Sequence, residues 1–178
     1  MTTASEAAWS LPPRAVLLAA ILLLLAAEVG GASMARYKLD LARWARAEML
    51  ARPAVHGLVG VRDVDERILD EALFRFDAGL RLFHMHAEGM ALVVIATTTI
   101  ATTLTPGPAT RRALVLLLTI GGVGYPLGYL LRSALIPALG LERSKDVAEW
   151  AFWLPFGAVT IAALFWLSGL IAVRMIRR

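Results

Sequence analysis

The chain has no cysteine. That excludes disulfides, zinc–thiolate sites and cysteine-ligated iron–sulfur clusters, and it leaves the compartment open. Histidine is scarce, with three copies, so any site built on imidazole draws on a short ligand list. No Gly-rich phosphate loop, P-loop, nucleophile elbow or H-E-x-x-H pair occurs, which argues against the common soluble chemistries. No catalytic residue is therefore named, and the reading leans away from an enzyme. Internal repeats and low-complexity tails are missing too.

What fills the chain is apolar. Hydrophobic residues make up 58% of its 178 positions and the mean hydropathy is +0.67, outside the soluble range and inside that of membrane helices. A net charge of +4 would suggest nucleic acid if it were clustered, but the basic residues flank apolar runs or alternate with acids between two of them. The partners expected are thus the lipid bilayer and other membrane subunits, or further copies of the chain, with no nucleic acid.

Four spans are predicted at about 15–35, 82–104, 113–135 and 151–173. Each supplies the roughly 20 residues that cross a ~30 Å hydrocarbon core. The first follows Arg14 and ends in Gly30, Gly31, Ala32, Ser33, Met34 and Ala35, a pattern shared with cleaved signal peptides. It is longer than a usual signal core and Glu28 interrupts it, so retention as an anchor is expected.

Residues 36–81 differ in character. Leu41, Trp44, Ala45 and Met49 recur at helical spacing, as do Val64, Ile68, Ala72 and Phe76, with charges between them. The spacing predicts an extramembrane helical hairpin projecting roughly 20 Å, with its arms continuous with the first two spans. Asp63 and Glu66 fit a capping box at the start of the second arm. The tip should be 53–62, where Pro53, His56, Gly57 and Gly60 read as a turn, with His56 solvated. Residues 105–108 should form a tight turn and 140–146 a brief polar loop. The expected fold is a single all-α membrane domain over 1–178, a four-helix bundle with this hairpin. It should be multi-pass in a bacterial-type inner membrane with cytoplasmic termini, because Arg14, Arg111, Arg112, Arg174, Arg177 and Arg178 gather on one side almost without acids.

Chemistry concentrates in Asp77, Arg81, His84 and Glu88, whose 4, 3, 4 spacing puts them on one helical stripe. Ionisable groups at membrane depth are expensive, so such a stripe is a site hypothesis by default. Glu28 and Arg132 should lie at a similar depth, with Tyr125 on the Arg132 face, giving a buried His–Glu–Arg cluster. His86 points about 200° away from His84. Gly124 and Gly128 form a small-xxx-small pattern suited to docking. Trp150 and Trp153 look like interfacial anchors, Pro126 and Pro155 should kink or start helices, and the threonines at 97–103 should bond back to their own helix.

These residues support several readings. The leading one is an accessory or structural subunit of a larger membrane complex, of respiratory or redox type, in which the cluster fixes helix register. In a second, His84 and Glu88 are metal ligands, or His84, Glu88 and His86 hold a cofactor, haem or a divalent metal. In a third, a small proton-coupled transporter or channel, His84 and Glu88 relay protons along a threonine-bearing face. The stretch His84-Met85-His86-Ala87-Glu88-Gly89 resembles the H-x-x-x-E-G pattern of a helix in the large subunit of nitric oxide reductases. That resemblance implies a metal-ligating role for His84 with Glu88 beside it. The chain lacks the consecutive histidine pair and the further haem-ligand histidines of that family, so the resemblance covers six residues and implies no membership.

Overall fold

A computed structural model describes residues 9–177. Every regular element among them is helical. Helix α1 (Arg14–Leu50) leads through a single helical turn, α2 (Pro53–His56), to α3 (Arg62–Leu104). Helix α4 (Pro108–Leu139) and a short α5 (Leu141–Ala148) follow, and a π-helical turn (Glu149–Trp153) joins α5 to α6 (Leu154–Ile176). Four of the helical stretches are long and apolar enough to cross a membrane.

Composition explains the long helices. Nothing stronger than Gly79 interrupts α3, so its 43 residues run unbroken for about 65 Å, twice the hydrocarbon thickness. Helix α1 bends at Tyr37 (φ −115°, ψ 17°), just where its leucine run gives way to charge. The apolar residues point outward: Leu18, Ile21 and Leu25 of α1 and Ile161 and Phe165 of α6 are all more than half exposed. Water would not tolerate such a belt, whereas lipid matches it.

The inner contacts are small-residue contacts. Ala20, Leu23 and Ala27 of α1 meet Phe83, Ala87, Ala91 and Val94 of α3, with Leu114 and Leu118 of α4 closing the core. Small side chains let helix backbones approach, and dispersion rather than the hydrophobic effect holds helices together in lipid. Gly121, Gly124 and Gly128 of α4 lie under Thr160, Phe156 and Trp153. This glycine stripe, expected to be free for docking, is already filled by the chain's own α6 and π-turn.

A second core forms at the other end. Ala45 and Met49 of α1, Leu69, Ala72 and Phe76 of α3, and Ile136 of α4 are buried together, with Leu58 and Leu141 packed on them. The hairpin is therefore not free-standing: the end of α4 and the start of α5 complete it. Residues 140–146, expected as a polar loop, instead turn at Gly140 (φ 77°) and continue as α5. Pro126 lies inside α4 and Pro155 opens α6.

The capping box at Asp63 and Glu66 does not form. Val61 holds the cap position of α3, and Asp65 reaches back to accept from the Val59 and Gly60 backbone N–H groups at 2.8 and 2.9 Å. Glu66 instead accepts from Arg46 Nη2 of α1 at 2.5 Å. His56 is not a solvated tip residue: its Nε2 donates to the Pro137 carbonyl at 3.1 Å, tying the tip to α4. The first and last described segments meet the α3–α4 turn at the opposite end. Thr102 Oγ1 donates to the Ser10 carbonyl at 2.8 Å, and Arg174 Nη1 to the Leu104 carbonyl at 2.8 Å.

Candidate functional site

The sequence stripe faces α1 across an open groove. A cavity of about 540 Å³ lies between the two helices where charge begins, lined by Glu28, Gly31 and Lys38 from α1 and by Asp77, Arg81 and His84 from α3. Helical spacing aligns the α3 residues, and the absence of a side chain at Gly31 lets the imidazole lie against α1. A Cβ there would stand 2.8 Å from His84 Cε1.

His84 Nδ1 donates to the Ala27 carbonyl at 3.0 Å. A carbonyl only accepts, so this bond puts a proton on Nδ1 and leaves Nε2 turned away from the bond. Glu88 Oε1 stands 3.5 Å from the same Nδ1, too long for a second full hydrogen bond. Asp77 pairs with Arg81 one turn along. Within the chain, the side chains of His84 and Glu88 are 29% and 36% exposed, and Glu28 is exposed. The site opens sideways.

Arg132 does not join it. Its Nε is buried without an acceptor among the described residues, one position before Ser133, which packs against Gly79. Tyr125 stands with His86 instead of His84. The His86 ring lies 6.1 Å from Tyr125 and 4.5 Å from Tyr129, and Tyr129 packs at 5.0 Å, tilted by 51°, against Trp153 of the π-turn. The Tyr125 and Tyr129 hydroxyls are 3.2 Å apart, and His86 Nδ1 donates to its own Leu82 carbonyl at 2.9 Å. Two groups thus occupy opposite flanks of α3. Sequence reasoning passed over Tyr129 and read Trp153 as an interfacial anchor, whereas its ring packs on Tyr129 and Gly128. The four-residue spacing of Tyr125 and Tyr129 was a usable signal, whereas the π-turn that brings Trp153 to them left none.

As a ligand set, α3 offers His84 with Glu88 at 3.5 Å, the groove adds the carboxylates of Glu28 and Asp77, and His86 lies on the far side of the helix. Among the described residues no three His, Asp or Glu side chains gather as a metal site would require. The threonine face is occupied as well: Thr97, Thr98, Thr99 and Thr102 each donate to the carbonyl four residues earlier. Comparison with protein-family models, curated proteins and solved structures finds no match. The chemistry of the groove must therefore speak for itself.

Proposed function

We propose that the chain is a multi-pass membrane subunit that receives another membrane-embedded chain on the α1–α3 groove. The observation that carries this reading is the groove's direction. Glu28, Asp77, Arg81 and His84 open onto the flank of the bundle instead of its interior. Ionisable groups facing acyl chains cost about 2.5–3.5 kcal/mol each near the bilayer centre, less towards its edge, and chains retain them where a partner or water-filled cavity meets them. Gly31, Ala32 and Ala35 beside these charges leave room for a second helix to approach closely. The packed helical end built from the outer halves of α1 and α3 with α2, α5 and the tip of α4 would stand outside the bilayer and extend the docking surface.

A photo-crosslinking residue at Ala32 tests this in native membranes, with one at Ile161 on the outer face of α6 as control. A discrete protein adduct from Ala32, absent from Ile161, is expected, and its mass distinguishes a different chain from a second copy. Lipid adducts alone from both positions would overturn the proposal.

A further inference from the structure

At the end that carries the termini, the starts of α1 and α4 part around a second cavity, of about 510 Å³. Ala15 and Val16 of α1 and Val115 and Leu116 of α4 form its walls, and Arg111 and Arg112 stand at its rim. The walls offer water few of the polar partners it needs, so an apolar occupant fits better. Arg111 Nη1 donates to the Thr102 carbonyl at 3.4 Å, which keeps that guanidinium at the rim. Among the described residues neither arginine enters a salt bridge.

Their surroundings add to the positive field. Arg14, Arg174 and Arg177 share this end, and the N-terminal end of α4 contributes the positive pole of its dipole. The nearest carboxylates along α1 and α3, Glu28 and Glu88, lie about 20 Å further into the helices. An occupant must therefore be apolar below and anionic above. A zwitterionic headgroup would bring its own ammonium into this cluster, and a free phosphate would leave the apolar walls empty.

We infer that this cavity binds an anionic phospholipid, with its phosphate on Arg111 and Arg112 and an acyl chain laid between α1 and α4. The inference rests on the membrane reading and is independent of what docks on the α1–α3 groove. Each basic residue at a membrane surface favours an anionic lipid by about fivefold.

With no native cysteine, Ile120→Cys gives a single thiol one turn deeper than Leu116, and Ile161→Cys one on the outer face of α6. The full chain, labelled there with a small fluorophore, is reconstituted in phosphatidylcholine vesicles. These carry equal fractions of either phosphatidylglycerol or phosphatidylcholine brominated in the acyl chain. At Ile120→Cys, the brominated phosphatidylglycerol should reach half-quenching at a mole fraction roughly 25-fold lower, about fivefold for each arginine. The preference should vanish with Arg111→Gln and Arg112→Gln together, while Ile161→Cys is quenched equally by both lipids throughout. Equal quenching at Ile120→Cys, or a preference surviving the paired arginine change, overturns the site. No quenching at Ile161→Cys by either lipid overturns the membrane reading with it.

Discussion

At the scale of single residues, Gly31 decides whether His84 can reach α1. An alanine Cβ would lie 2.8, 3.0 and 3.1 Å from three atoms of the imidazole ring, so the ring must leave and its bond to the Ala27 carbonyl is lost. Overpacking of this kind costs about 1–3 kcal/mol. Gly89, in the same helix as His84, has nothing near its missing Cβ; alanine there should be neutral or gain about 0.5–1 kcal/mol from helix propensity. Thermal unfolding in detergent should separate Gly31→Ala from Gly89→Ala, and the deficit should disappear in a His84→Ala background. Equal melting of the two alanine variants would mean that the ring is not held against α1. At this scale the sequence showed a good deal. The 4, 3, 4 stripe predicted which α3 residues share a flank, because helical periodicity is local. It could not show that Arg132 and Tyr125 belong elsewhere, since the rotation of α4 about its axis is set by glycine contacts with α6.

At the scale of elements, the start of α3 is held by a residue other than the expected cap. Asp65 accepts from two backbone N–H groups of the tip, at Val59 and Gly60, whereas Asp63 makes no side-chain bond of its own among the described residues. Asp65→Ala should destabilise the tip by about 1–2 kcal/mol, and Asp63→Ala by no more than a few tenths, the loss of a charge near the helix start. Limited proteolysis across 57–61, followed alongside the melting temperature, should show faster cleavage in the Asp65 variant alone. Equal protection in both variants would restore the simple capping box. The capping signature misleads because it reads three-residue spacing, while the chain enters the helix through Val61 in an extended conformation that turns Asp65 back on the tip. The four apolar runs were legible for the opposite reason: twenty consecutive apolar residues need no tertiary context. Helix α5 and the π-turn were not, since a short polar segment becomes helical only when α4 delivers it, through Gly140, onto the core under Leu141.

At the scale of the whole molecule, the two ends carry charge in different ways, and that difference predicts orientation. Around the packed end, Arg43, Arg46, Arg52, Arg75 and Arg81 each pair with a carboxylate. A bare count of basic residues favours keeping that end inside, yet there the basic residues alternate with carboxylates, among them Asp40, Glu48, Glu66, Glu71 and Asp77. The end formed by the termini and the α3–α4 turn carries Arg14, Arg111, Arg112, Arg174 and Arg177. No Asp or Glu lies in the described segments that carry them, and short basic segments are the ones retained in the cytoplasm. Single cysteines at Val59 in the tip and Ala109 beside the α3–α4 turn report on the two ends without any native thiol to remove. A membrane-impermeant maleimide added to intact spheroplasts should label Val59→Cys and should reach Ala109→Cys only after lysis. The reverse pattern would place the termini outside and show that the count of basic residues outweighs the absence of acids. Labelling of both before lysis would mean that at least one of the four long helices does not cross the bilayer at all.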